Sequence, residues 1–235
     1  MYQGLRSVIG AIFTPLAKGL MRLGVTPDAV TIAGTVVTCT LALWLLPAGH
    51  LFWGALLIGI FALFDSLDGV LARLSGTASK FGAFLDSTMD RFADGAVFMG
   101  IALYFTLASH DAAPHTLWGA PVAASPAWAF TWAAIAALAC LIIGGVVSYV
   151  RAKAESMGAF AHVGIFERWL RLVGALVPVG FIQLGLPVIA AAACLTIIAV
   201  GSFWTVIERM RAVRQQLGRA PLDQPTGQQT EQPNG

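Results

Sequence analysis

The chain has 235 residues, 57% hydrophobic and 11% charged, with a net charge of +2 and a mean hydropathy of +0.77. Soluble domains carry about 25% charged residues, so a soluble globular domain is excluded and a single all-α, multi-span membrane domain is implied. No nucleic-acid partner is expected.

Residues 5–22, "LRSVIGAIFTPLAKGLMR", place Leu5, Ile9, Ile12, Leu16 and Leu20 at three-to-four spacing, with Arg6, Lys18 and Arg22 off that stripe. This pattern predicts an N-terminal amphipathic helix within residues 1–24, lying in the membrane interface or packed on the protein itself. The N-terminus lacks an apolar core followed by a small-residue cleavage site, so no cleavable signal peptide is expected. Thr26 is a good N-cap and Pro27 a good first helical residue. Apolar runs then predict six transmembrane helices near residues 27–47, 51–73, 81–108, 127–150, 169–186 and 187–208. They make up one six-span domain over residues 25–212. The segment 213–235, rich in Gln, Pro and Gly, cannot bury enough apolar surface to fold and is predicted to be a disordered tail. Cys39, Cys140 and Cys194 lie in apolar runs without pairing or metal-site spacing, and read as buried, inert thiols.

Loops 47–51, 109–126 and 184–188 contain no Lys or Arg, and all fourteen basic residues fall on the other side. The positive-inside rule therefore places both termini in the cytoplasm, in a multi-pass protein of the cell membrane. Trp44, Trp53, Trp118, Trp128 and Trp132 cluster toward the opposite interface, as an aromatic belt would.

Against this apolar background stands "FDSLDGVLARLSGTASKFGAFLDSTMD", residues 64–90. Asp65 and Asp68 are three apart near the cytoplasmic end of the second span, and Asp86 and Asp90 four apart at the start of the third. On helices each pair shares a face, and a turn of about Ser75–Ser79 can bring the pairs to one depth. Four carboxylates so close repel in a low dielectric and call for positive charge. Hard oxygen ligands suit Mg²⁺, with Mn²⁺ as the alternative, and four carboxylates can hold two divalent cations as a clamp for phosphoryl transfer. Pairing with Arg73 and Arg91 is the structural alternative. Gly69 and Gly82 leave room for a ligand near the backbone, or for close helix packing. Asp94 continues the stripe by four residues and reads as structural, paired with Arg91 or a polar residue on a neighbouring helix.

The run Asp65-x-x-Asp68-Gly69-x-x-Ala72-Arg73, eight residues, Gly82, three residues, Asp86, three residues, Asp90 resembles the signature of the CDP-alcohol phosphatidyltransferases. The resemblance covers about residues 20–210 and implies six spans, two divalent cations and displacement of CMP from a CDP-linked substrate. It implies that Asp65, Asp68 and Asp86 are metal ligands, and that Asp90 is both ligand and general base. It also implies contacts to CDP-diacylglycerol from Asp28, Ala29, Val30, Thr31, Gly69, Arg73, Ser79 and Gly82, and a homodimer.

A second basic cluster lies in "SYVRAKAESMGAFAHVGIFERWLRL", residues 148–172. Arg151, Lys153, Arg168 and Arg171 can hold a phosphate, or serve anionic headgroups and topology. His162, between them, reads as solvent-facing. The region resembles that of actinobacterial phosphatidylinositol phosphate synthases, with Trp169 where that pattern has proline. The resemblance implies inositol phosphate as acceptor, held by these four basic residues, and phosphatidylinositol phosphate and CMP as products. Glycerol 3-phosphate, giving phosphatidylglycerol phosphate, is the alternative acceptor. A divalent-cation transporter would spread acids across the membrane depth, whereas here they crowd at one level.

Overall fold

The computed structural model describes residues 14–15, 19–64, 71–72, 74–108, 116–119, 125–161 and 163–218. The predicted N-terminal helix lies largely outside these residues, apart from a helical turn at 19–22, and the tail from residue 219 lies wholly outside them. Helices make up most of the described residues, and no strand occurs among them. Among the described residues the main helices are, in order, α1 Pro27–Leu45, α2 Leu51–Phe64, α3 Lys80–Ala108, α4 Ala127–Ser156, α5 Arg168–Phe181 and α6 Val188–Leu217. A 3-10 turn, Ile182–Leu184, extends α5. Four of them, α1, α3, α4 and α6, are long and apolar enough to cross a membrane.

The helix starts follow from local chemistry. The Thr26 hydroxyl accepts from the Ala29 N–H at 3.3 Å, and Pro27 opens α1 where its missing donor costs nothing. Ser79 caps α3 by accepting from the Gly82 N–H at 2.9 Å. The connection before it is the predicted turn: Gly76 takes φ +68°, and the Thr77 N–H donates to the Ala72 carbonyl at 3.1 Å. α4 and α6 run to Ser156 and Leu217, past the ends of their apolar runs, so residues 213–217 are helix rather than tail.

Packing relies on small residues, as helices in lipid require. α1 crosses α3 at Gly100, where a Cβ would lie 2.3 Å from the Ala42 carbonyl oxygen. The face of α4 bearing Ala129, Ala133, Ala136, Ala137 and Cys140 is buried and packs most extensively on α6. There the Cys140 thiol donates to the Leu195 carbonyl at 3.3 Å. Cys140 alone of the three cysteines is fully buried; Cys39 and Cys194 are half-buried, which corrects the expectation for those two.

Long-range hydrogen bonds fasten the end whose loops lack Lys and Arg. The Gln183 side chain accepts from the Phe52 N–H at 2.8 Å, its carbonyl accepts from the Leu117 N–H at 2.9 Å, and Ser125 caps α6 through the Val188 N–H at 3.2 Å. The five predicted belt tryptophans lie at or toward this end, and all are exposed. The starts of α1, α3 and α5 meet at the other end.

Candidate active site

The start of α1 lies beside the start of α3. A Cβ on Gly82 would stand 3.3 Å from the Ser79 hydroxyl and 3.5 Å from an Asp28 carboxylate oxygen. Three of the predicted CDP-diacylglycerol contacts, Asp28, Ser79 and Gly82, therefore share one corner. Thr31 is buried one turn along α1, its hydroxyl donating to the Pro27 carbonyl at 3.2 Å. Ala29 and Val30 occupy the same first turns of α1. Asp65, Asp68, Gly69 and Arg73 lie outside the described residues, as does His162.

Asp86, Asp90 and Asp94 follow at four-residue spacing on α3, and Asp90 and Asp94 face the start of α5. Arg168 reaches across. Its Nη1 is 2.7 Å from Asp90 Oδ1, and its Nε donates to Asp94 Oδ1 at 2.9 Å. Arg91 Nη2 lies 3.6 Å from Asp90 and 3.9 Å from Asp94, and Arg91 also donates to the Ser148 hydroxyl on α4. Arg171 Nη2 is 3.5 Å from Asp94 Oδ2. Asp94 is thus paired, as expected, but with three guanidiniums rather than one. Arg171 is 2% exposed, its guanidinium packed over Gly144 and donating to the Phe166 carbonyl at 3.3 Å. Arg151 pairs at 2.9 Å with Glu155 one turn on, and Lys153 is exposed. The four basic residues therefore divide: Arg168 at the junction, Arg171 beneath it, Arg151 and Lys153 at the surface.

The donor set suits a hard divalent cation, because Asp86 and Asp90 present oxygen from adjacent turns of one helix. Among the described residues no group of three or more His, Cys, Asp or Glu gathers for a metal, and Asp65 and Asp68 are not among them.

A sequence profile described as CDP-alcohol phosphatidyltransferase matches residues 24–207. The chain belongs to this family. A phosphatidylinositol phosphate synthase of Mycobacteroides abscessus is 40% identical, over 97% of this chain and 96% of that one. One from Corynebacterium glutamicum is also 40% identical, over 90% and 86% respectively. Among solved structures, the Mycobacterium tuberculosis phosphatidylinositol phosphate synthase with CDP-DAG bound aligns with a TM-score of 0.74 at 36% identity, covering 87% of this chain and 94% of that one. Its complex with manganese and citrate aligns with a TM-score of 0.73 at 36% identity, covering 86% and 88%.

Two supports of the family site carry no sequence signature. The first is Arg209 on α6, 7% exposed, which donates to the Val163 carbonyl at 3.0 Å and the Val147 carbonyl at 2.8 Å. The second is Gln216, whose amide both accepts from the Phe160 N–H at 2.9 Å and donates to the Phe160 carbonyl at 2.7 Å. Together they tie the 157–167 linker to α6 and fix where α5 begins. Gly164, at φ +111°, sits so close to Thr205 that a Cβ would lie 2.2 Å from its methyl. Trp169 falls in the first turn of α5, where backbone donors lack helical acceptors, so this helix start holds with tryptophan or proline.

Proposed function

We propose that this phosphatidyltransferase moves the phosphatidyl group of CDP-diacylglycerol to a hydroxyl of inositol phosphate, giving phosphatidylinositol phosphate and CMP. The observation that carries the reading is the contact of Asp90 with Arg168 at 2.7 Å across α3 and α5. It puts a carboxylate that can take a hydroxyl proton beside a guanidinium that can hold the acceptor's own phosphate. The phosphatidylinositol phosphate synthases aligned over most of the chain support the same acceptor.

In this reading Asp28, Ala29, Val30, Thr31, Ser79 and Gly82, with Gly69 and Arg73, cradle the CDP moiety, whose acyl chains stay in the bilayer. Arg151, Lys153 and Arg168 hold the acceptor phosphate, with Arg171 adding charge from below. Asp90 accepts the proton of the attacking hydroxyl. The new bond joins that oxygen to the lipid-side phosphorus, and the pyrophosphate bond to CMP breaks. Divalent cations, Mg²⁺ or Mn²⁺ and two in number, would be held by Asp65, Asp68, Asp86 and Asp90, and would supply charge stabilisation on the phosphates and leaving group. In this reading the six helices all span the cell membrane, this end and both termini face the cytoplasm, as the distribution of Lys and Arg supports, and the assembly is a homodimer.

The test is CMP release by purified protein with CDP-diacylglycerol and Mg²⁺, offering inositol phosphate, inositol, glycerol 3-phosphate and serine separately. Release with inositol phosphate alone is the expected result. Release with glycerol 3-phosphate instead keeps the chemistry and overturns the acceptor.

A further inference from the structure

Asp94 lies outside the family signature, one turn beyond Asp90, and is 13% exposed at its side chain. Its Oδ1 takes the Nε of Arg168 at 2.9 Å, and its Oδ2 faces Arg171 at 3.5 Å and Arg91 at 3.9 Å. We propose that Asp94 is a positioning residue that aims the Arg168 guanidinium at the acceptor's phosphate. This rests on the acceptor reading given above.

The argument is geometric and electrostatic. A guanidinium is planar, and its donors point along fixed edges. With Nε on Asp94 and Nη1 on Asp90, Arg168 has two anchors on successive turns of α3, which fix its roll as well as its distance. With the Asp94 anchor removed, the Nε edge of Arg168 loses the bond that sets its roll against α3. The second part is charge. Arg91, Arg168 and Arg171 all gather within 4 Å of Asp94, and Arg91 and Arg168 also meet Asp90. Arg171 is 2% exposed and cannot turn to water to escape its neighbours. All three guanidiniums share Asp94 within 4 Å, so it holds the cations together where Arg168 faces Asp90. A purely structural Asp94 would neutralise Arg171 and have no effect specific to one substrate.

The experiment measures KM for inositol phosphate and for CDP-diacylglycerol in the full chain, in D94N, D94E, R168Q and the D94N/R168Q double variant, with thermal unfolding alongside. D94N is expected to raise the acceptor KM about tenfold or more while moving the CDP-diacylglycerol KM less than about twofold, the scale for losing a group that orients a binding residue. Added to R168Q, D94N should raise the acceptor KM no further, because the two act as one unit. Equal rises in both KM values, or effects that multiply in the double variant, would overturn the proposal and leave Asp94 a structural counter-ion. If D94N does not fold, D94E decides: its carboxylate reaches one methylene farther, and an unchanged acceptor KM refutes the aiming role. The unmodified chain is assayed first. Its failure to use inositol phosphate overturns the acceptor reading, whereas success there with no KM split in the variants overturns this proposal alone.

Discussion

Arg168→Gln tests the acceptor pocket most directly. The substitution keeps an amide donor for Asp94 but removes the charge beside Asp90, now 2.7 Å away. A hydrogen bond to a charged group is worth about 1.5–3 kcal/mol, and each 1.4 kcal/mol is about tenfold in affinity. The Arg168 side chain is 27% exposed, so water screens part of the interaction and the lower end applies. The expected rise in acceptor KM is therefore about tenfold. The variant also leaves Asp90 and Asp94, 17% and 13% exposed, sharing Arg91 at 3.6 and 3.9 Å. A fully buried broken pair costs about 3–5 kcal/mol; partial exposure and the remaining arginines reduce this to about 1–2 kcal/mol, which an integral membrane bundle tolerates. Initial rates of CMP release, with each substrate varied at saturating levels of the other, give the two KM values. Equal effects on both substrates, or an unchanged acceptor KM in a folded variant, would refute the pocket.

Asp90→Asn should abolish turnover, by at least about 10²-fold as for loss of a general base, while unfolding temperature in detergent stays close to that of the parent; near-normal release of CMP would sink the general-base role. Arg209→Met removes donors from two buried carbonyls and should destabilise the chain by about 3 kcal/mol, read as a lower unfolding temperature; no change would mean the linker is held some other way. Truncation after Gly218 should leave activity intact, whereas Gln216→Ala, which frees Phe160, should lower both activity and unfolding temperature. A large loss on truncating at Gly218 would give residues 219–235 a role the sequence does not suggest.

Much of this architecture was legible in the amino-acid order, because hydropathy marks lengths of chain and caps mark their starts. Pro27, Leu51, Lys80, Ala127, Arg168 and Val188 begin helices within a residue of where the apolar runs and their caps put them. The far ends of α4 and α6 were less legible. Hydropathy stops at the first charges, but hydrogen bonding carries the helix on to Ser156 and Leu217, placing Arg151 and Lys153 on helix rather than in a loop. In the site, the spacing of Asp86, Asp90 and Asp94 announced one face of one helix. It gave no sign that Arg168 would bridge the last two, since that pairing spans 74 positions between Asp94 and Arg168. Nor could a count of basic residues separate Arg171 from Arg168. Both lie at a helix start with charged neighbours, and Gly144 and the Phe166 carbonyl decide which of them is buried.

The 157–167 linker shows how the fold reaches the chemistry. Its composition is that of a loop, with Gly158 and Gly164 at positive φ, yet α6 grips it at two levels. Gln216 pairs with both backbone groups of Phe160, and Arg209 reaches the Val163 carbonyl while also bonding the Val147 carbonyl of α4. Phe166 then packs against the core, with Gly201 of α6 beneath its ring. Two residues later comes Arg168. A segment gripped this often before a helix start has little freedom to shift it, and a guanidinium set 2.7 Å from Asp90 tolerates little shift. The charged extension of α6, which no apolar run requires, thus acts as the splint that sets the distance between a carboxylate on α3 and an arginine on α5.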